Sequence, residues 1–152
     1  MRTTLCLLTV VVIGLAAQTV YAHCEVPCGI YDDQLRFQSM LEDQATIEKA
    51  SSKIGELADK HGAHDLNQLV RWVNTKEDHA SKIQHTIAQY FMTQRIKADD
   101  EKYAKKLAAA HAVLVAAMQS KQAASPESTA ALKKSILDFY RAYEGKEPAV
   151  HE

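Results

Sequence analysis

The sequence has 152 residues, which is enough for one domain with its own hydrophobic core but short for a multidomain enzyme. It contains 18 Lys and Arg residues and 19 Asp and Glu residues, so its formal net charge at pH 7 is −1. A nearly neutral chain gives no electrostatic basis for binding nucleic acid or an anionic membrane, and we expect neither as a partner of the processed protein.

Residues 1–22 have the three parts of a secretory signal peptide. Arg2 supplies an early positive charge, an apolar run follows, and Val20-Tyr21-Ala22 precedes the expected cleavage point. The apolar run 5–20 has 16 residues, short of the roughly 20 that a membrane-spanning helix needs. We therefore expect export, cleavage after Ala22 and a mature chain that begins at His23. A periplasm, the extracellular space and an organelle lumen are all compatible destinations.

The new amino terminus would carry an unusual set of donor atoms. The α-amine of His23, the amide nitrogen of Cys24 and the thiolate of Cys24 form two fused five-membered chelate rings around one metal ion. The thiolate of Cys28 can close the fourth corner, and the His23 imidazole can reach an axial position. A planar set of two nitrogens and two sulfurs favours Ni(II) or Cu(II), whereas zinc prefers a tetrahedron. Residues 23–33 are therefore predicted to form a metal-binding hook.

The residues between and after the cysteines suit such a hook. Pro27 stiffens the loop between the thiolates, and Gly29 can adopt the positive φ of a tight turn. Backbone N–H groups from Cys28 to Ile30 would line the open face of the metal. Tyr31 provides the nearest phenol, which could hold a small oxygen ligand or a proton at that face.

Two other interpretations use the same residues. On spacing and compartment alone, a Cys24–Cys28 disulfide in an exported structural bundle ranks above a metal site. His23 directly before Cys24 shifts the balance toward a metal, because the predicted cleavage exposes the amine that completes the chelate. A nickel or copper carrier without catalysis would also use this hook.

Residues 34–145 are predicted to be all-α. Glycine and proline are few, at five and three in the whole chain, and apolar residues recur at helical spacing in four stretches. Four amphipathic helices with short connections favour an up-down four-helix bundle, followed by a tail at 146–152. The first helix is predicted over 34–60 with Gly62 as a left-handed cap. The second is predicted from an Asp65–Gln68 capping box to about Ile96.

The last two helices have local start signals. Asp99 or Asp100 can cap the third, and Ser125-Pro126-Glu127 can open the fourth. The apolar stripes are predicted to form the core without a functional role; they include Phe37, Leu66, Leu69, Val70, Val73, Ile83, Tyr103, Leu114, Met118 and Phe139. The histidines of this region are predicted to lie at the surface or at an interface rather than to bind metal: His61, His64, His79, His85 and His111.

The segment His-Cys-x-x-Pro-Cys-Gly-x-Tyr at residues 23–31 resembles the nickel hook of nickel superoxide dismutases, and the predicted bundle is similar to that family's fold. The resemblance implies an oxidoreductase that converts superoxide to O2 and hydrogen peroxide by Ni(II)/Ni(III) cycling. It assigns the nickel ligands to His23, Cys24 and Cys28. It also implies that Tyr31 gates the substrate pocket without binding nickel, and that the protein assembles as a homohexamer.

Other positions match the family less closely. Tyr90, in Gln89-Tyr90-Phe91, resembles the tyrosine that meets the hook tyrosine. Glu25 stands where an aspartate is usual. In the family pattern, a helical glutamate and an arginine orient the axial imidazole. The position here that is nearest to the glutamate is Gln38, and Arg71 is the candidate for the arginine.

Overall fold

The computed structural model describes residues 32–148, which form four α-helices and one π-helical segment. Their bounds are α1 Asp33–Leu57, α2 Ala63–His85, the π segment Thr86–Arg95 that continues α2, α3 Tyr103–Gln122 and α4 Pro126–Glu144. Each helix packs against its neighbours in the chain, and α4 also packs against α1. Short connections make such neighbours antiparallel. The prediction of an all-α four-helix bundle is confirmed.

The start of α4 follows its sequence signals. The Ser125 hydroxyl oxygen accepts a hydrogen bond from the Ser128 N–H at 3.2 Å, and Pro126 occupies the first turn, where a missing N–H costs nothing. The helix ends at Gly145, whose φ of 73° places it in the left-handed region. Glycine adopts this conformation without the penalty that a Cβ would bring.

The junction between α1 and α2 differs from the prediction. The first helix ends at Leu57, and Gly62 is the extended N-cap of α2, with φ of −68°. The Gly62 carbonyl accepts a hydrogen bond from the Leu66 N–H at 2.9 Å, so the helix begins before the expected capping box. Asp65 consequently lies in the first turn, where its charge favours the positive helix end. Both the left-handed cap at Gly62 and the Asp65–Gln68 capping box were wrong.

The start of α3 also differs. Its N-cap is Lys102, and neither Asp99 nor Asp100 occupies that position. Asp100 instead stabilises the turn before the helix: its Oδ1 accepts from the Lys102 N–H at 2.7 Å and its carbonyl accepts from the Tyr103 N–H at 2.9 Å. Asp100 thus stabilises a turn that precedes α3 rather than the first turn of the helix itself, and the predicted cap at Asp99 or Asp100 was wrong.

The apolar stripes are buried only in part. Phe37, Ile83 and Phe139 lie in the core as predicted, whereas Leu69 and Leu114 are half-buried. Five other predicted core residues are exposed: Leu66, Val70, Val73, Tyr103 and Met118. The first three lie in the part of α2 before Lys76, which contains no fully buried residue. Helical spacing predicts which face is apolar, but not how far along the helix a neighbour covers it.

Within residues 32–148, no helix combines the length and the apolar character required to cross a bilayer.

Candidate metal centre

Residues 23–31 of the predicted hook lie outside the residues that the structure describes, whereas Asp32 and Asp33 form the start of α1. His23, Cys24, Cys28 and Tyr31 therefore remain predicted site residues. Among residues 32–148, no group of three or more His, Cys, Asp or Glu side chains could hold a metal ion. What the structure shows is the scaffold that the hook joins at the start of α1.

The first helix begins directly after the hook segment. Asp32 is its N-cap, with an extended backbone and a side-chain Oδ1 that accepts from the Gln34 N–H at 2.7 Å. The Asp32 carbonyl accepts from the Arg36 N–H at 3.2 Å. This cap satisfies helix donors that would otherwise lack partners, so the helix has a defined starting point next to the hook.

Three side chains from other elements converge on the carboxylate of Asp33, in the first turn of α1. Tyr90 donates its hydroxyl proton to Oδ1 at 2.5 Å. Arg95 donates to Oδ2 from Nη2 at 2.7 Å and from Nε at 3.3 Å, and the Tyr143 hydroxyl donates to Oδ2 at 2.8 Å. Asp33, Tyr90, Arg95 and Tyr143 are called the Asp33 cluster below. The cluster ties α1 to the π segment and to α4.

The protonation states of the Asp33 cluster follow from these contacts. Burial raises the pKa of Asp33, but hydrogen bonds from Arg95, Tyr90 and Tyr143 and the Arg95 charge outweigh burial and hold that pKa below its usual value. Burial and the neighbouring Asp33 raise the pKa of Tyr90 to about 12, and the same causes raise the pKa of Tyr143. At neutral pH the cluster therefore contains one carboxylate, one guanidinium and two protonated phenols.

The π segment places Tyr90 and Arg95 on the same face. In a π-helix each N–H bonds to the carbonyl five residues earlier, as the Ile96 N–H does to the Phe91 carbonyl at 2.9 Å. Side chains five apart then lie nearly above one another, and the Arg95 guanidinium carbon is 5.8 Å from the centre of the Tyr90 ring. An α-helix would separate these residues around its axis. The sequence interpretation missed Arg95 because it assumed α-helical spacing throughout.

A cluster of phenylalanine rings packs against the rings of Tyr90 and Tyr143. The ring centre of Phe91 lies 4.8 Å from that of Phe37, 5.0 Å from Phe139, 5.1 Å from Tyr90 and 5.2 Å from Tyr143. Phe37, Phe91 and Phe139 are buried. Because packed rings have little freedom to turn, the tyrosine hydroxyls remain directed at Asp33.

A second contact joins the start of α1 to α4. The Tyr140 hydroxyl donates to Gln34 Oε1 at 3.0 Å. These two residues line a cavity of about 500 Å³ between the helices, together with Phe37 and Gln38. Two consecutive residues at the start of α1, Asp33 and Gln34, are thus each bound to a tyrosine of α4.

The candidates for orienting the axial imidazole occupy different environments. Gln38 is exposed on α1, with its Nε2 3.5 Å from Glu42 Oε1. Arg71 is exposed in the part of α2 that precedes the buried residues. Neither is among the partners that the structure gives Asp33. Arg95 is the arginine whose guanidinium donates to the Asp33 carboxylate.

The histidines of the bundle agree with the surface prediction in four of five cases. His61, His64, His85 and His111 are exposed. The fifth, His79, is half-buried, and its Nδ1 lies 2.6 Å from Asp43 Oδ1. This pair joins α2 to α1 and was not predicted, because 36 residues separate its members.

Residues 18–147 match the protein family described as nickel-containing superoxide dismutase. The matched region includes all of the predicted hook and all four helices. No curated protein and no solved structure matches the chain. The family match agrees with the hook motif and with the helical fold, and it confirms the resemblance found in the sequence. The chain therefore belongs to the nickel-containing superoxide dismutase family, and it is an oxidoreductase that uses nickel to disproportionate superoxide.

Proposed function

We propose that the protein acts through a nickel site at its processed amino terminus, formed by residues 23–31. The observation that carries this proposal is the family match over residues 18–147, which includes the whole segment. The absence of a candidate metal-binding group among residues 32–148 also directs attention to the amino terminus.

The donor set of the hook fits nickel. His23 would contribute its α-amine and its imidazole, Cys24 its amide nitrogen and thiolate, and Cys28 the second thiolate. Thiolates are soft donors and a deprotonated amide is a strong one, so together they stabilise a higher oxidation state. When bound, nickel supplies the Ni(II)/Ni(III) couple that oxidises one superoxide to O2 and reduces a second to hydrogen peroxide.

The two tyrosines would control protons and access. Reduction of superoxide to hydrogen peroxide consumes two protons, so the orientation of nearby hydroxyl groups matters. Tyr90 donates its proton to Asp33, and its phenol oxygen therefore meets any further hydroxyl as an acceptor. If Tyr31 meets Tyr90, as the family resemblance implies, Tyr31 is the donor of that pair. Its oxygen lone pairs would then face the substrate pocket, where it would order small oxygen species without binding the metal.

Export, processing and assembly are part of the same proposal. Cleavage after Ala22 would create the amine that the hook needs, so the metal site would form only after the leader is removed. The destination would be a periplasm, the extracellular space or an organelle lumen. By family resemblance the mature chain would assemble as a homohexamer.

Amino-terminal sequencing and metal analysis of the protein from its native host test the proposal most directly. We expect the chain to start at His23 and to contain about one nickel per chain. Extra residues ahead of His23 in the active protein would contradict the proposed chelate. A Cys24–Cys28 disulfide in the active protein would contradict it equally.

Four variants of the mature chain separate the roles of the hook atoms. Cys24→Ser and Cys28→Ser each remove one thiolate and should abolish superoxide dismutation while far-ultraviolet circular dichroism stays unchanged, because neither residue belongs to the bundle. Retaining Ala22 ahead of His23 blocks the amine and should have the same effect with both thiolates present. His111→Ala, which removes an exposed histidine of α3, is the control and should keep full activity. Activity in either serine variant would rule out the proposed coordination.

A further inference from the structure

Side chains of the π segment and of α4 hold the start of α1, directly after residues 23–31. Asp33 lies five residues after Cys28 and two after Tyr31. Its carboxylate accepts hydrogen bonds from two tyrosines and an arginine, and the donors come from the π segment and from α4. The side chain of Asp33 is only 15% exposed although it lies at a helix end. Four donor contacts on one carboxylate leave this position little freedom.

The chemistry of the cluster requires a carboxylate. Both oxygens of Asp33 act as acceptors, Oδ1 for Tyr90 and Oδ2 for Arg95 and Tyr143. An asparagine would replace one acceptor oxygen with an NH2 group, which would face a donor. It would also leave the positive charge of Arg95 without its anionic partner. Asp33→Asn therefore changes the cluster with very little change in volume.

The anchor limits where the hook can lie. Five residues of extended chain span at most about 18 Å, so the Cα of Cys28 must stay within that distance of the Cα of Asp33. Gly29 lies in this short connection and adds backbone freedom. The capped start of α1, where Asp33 bonds three side chains of other elements, is therefore the described part of the chain nearest to the hook.

We propose that Asp33 is a positioning residue, which holds the start of α1 against the π segment and α4 and thereby fixes the entry of the nickel hook. The inference rests on the proposed function, since it concerns the hook as the metal site. In this role Asp33 would act through the backbone of α1, because its carboxylate oxygens bond Tyr90, Arg95 and Tyr143. Its role is comparable to that of outer residues which orient metal ligands, whose loss typically lowers metal affinity about 10- to 100-fold.

The chain offers a matched control on the same helix. Asp43 is also a partly buried aspartate of α1, 13% exposed, and pairs with His79 at 2.6 Å. It lies ten residues further from the hook than Asp33. Asp43→Asn thus removes a comparable carboxylate and a comparable contact between helices, but it leaves the start of α1 unchanged.

The experiment compares nickel retention in the two variants. Each mature chain is loaded with nickel and mixed with an excess of a strong chelator, and the rate of nickel release is followed. We expect Asp33→Asn to release nickel about 10- to 100-fold faster than the unmodified chain, as for the loss of other orienting residues. Asp43→Asn should stay within about twofold of the unmodified chain. Circular dichroism of both variants should show the full helical signal.

A spectroscopic measurement adds a readout that a purely structural role would not change. The electron paramagnetic resonance spectrum of a Ni(III) form depends on the donor atoms around the metal, which would include the imidazole of His23. We expect this spectrum to broaden or shift in Asp33→Asn and to match that of the unmodified protein in Asp43→Asn. If Asp33→Asn does not fold, Tyr143→Phe removes one donor to the carboxylate and should accelerate nickel release in the same direction by a smaller factor.

The outcomes separate this inference from the proposed function. If the unmodified mature chain holds no nickel, the hook is not the metal site and both ideas fail. If the unmodified chain holds nickel, and Asp33→Asn and Asp43→Asn release nickel at the same rate as the unmodified chain, the positioning role alone is refuted. For a chain in which Asp33→Asn cannot fold, an unchanged release rate in Tyr143→Phe refutes the role as well.

Discussion

Replacing Tyr90 with phenylalanine removes one hydroxyl group and keeps the ring, so the aromatic packing stays and the hydrogen bond donated to Asp33 is lost. The bond lost joins the Tyr90 hydroxyl to Asp33 at 2.5 Å. Hydrogen bonds to charged groups contribute roughly 1.5–3 kcal/mol. Asp33 keeps Arg95 and Tyr143, so we expect the low end, a loss of about 1.5 kcal/mol in unfolding free energy. For a chain of this size that loss lowers Tm by about 3 to 6 °C.

Tyr140→Phe is a matched control. Tyr140 is 6% exposed and Tyr90 is 5% exposed, but Tyr140 donates to the neutral amide oxygen of Gln34 at 3.0 Å. A neutral hydrogen bond contributes roughly 0.5–1.5 kcal/mol, so this variant should lose about half as much stability. Urea unfolding followed by circular dichroism at neutral pH measures both. A loss in Tyr140→Phe as large as that in Tyr90→Phe would refute the importance of the carboxylate.

The same pair of variants predicts a pH dependence. Because the pKa of Tyr90 rises from 10.0 to about 12 on folding, the protonated hydroxyl stabilises the fold fully below pH 10 and this contribution is lost as the pH rises through about 12. The stability difference between the unmodified chain and Tyr90→Phe should therefore shrink over this window. Urea unfolding at a series of alkaline pH values tests it, and a difference that stays constant up to pH 12 would contradict the assignment.

Three further predictions concern other parts of the chain. Lys76→Met should lower the unfolding free energy in urea by about 1–3 kcal/mol, because the buried Lys76 ammonium bonds the Ser120 and Lys121 carbonyls at the end of α3. The control Lys134→Met, at an exposed ion pair, should lower it by less than about 0.5 kcal/mol, and equal losses would refute the capping role of Lys76. Phe91→Ala should lower stability by about 3–5 kcal/mol, measured the same way, and a loss below about 1 kcal/mol would contradict a tightly packed aromatic cluster. Tyr31→Phe should keep nickel but disturb turnover mainly at high superoxide in pulse-radiolysis assays, and loss of nickel would show that the phenol helps to bind the metal.

The helices of this protein could be predicted because their signals are local. Within its own helix, each of Phe37, Ile83 and Phe139 belongs to a row of apolar residues at helical spacing, and all three lie in the core. The start signal of α4 consists of two adjacent residues, the N-cap Ser125 and Pro126 in the first turn. The metal ligands His23, Cys24 and Cys28 stay a prediction from donor atoms and from the family resemblance, since they lie outside the described residues.

The Asp33 cluster could not be predicted from the sequence, because it depends on contacts between distant residues. Asp33 and Arg95 are 62 residues apart, and their meeting requires both the bundle topology and the departure of residues 86–95 from α-helical geometry. Gly62 was misread for a related reason. Glycine is common at both ends of helices, and only the true end of α1 at Leu57 decides which role it has.

The wide coil at Thr86–Arg95 has a consequence for how this region can vary. In an α-helix each residue turns the chain by about 100°. If Thr86–Arg95 took ordinary helical geometry at its present length, Arg95 would lie about 140° around the axis from Tyr90, because five residues turn the chain by about 500°. Its guanidinium would then point away from Asp33, although every residue of the cluster would still be present in the sequence. A chain that lacked one residue between Tyr90 and Arg95 would instead bring them four apart, the spacing at which α-helical side chains share a face. The wide coil can therefore be exchanged for a helix one residue shorter without loss of the Asp33 cluster.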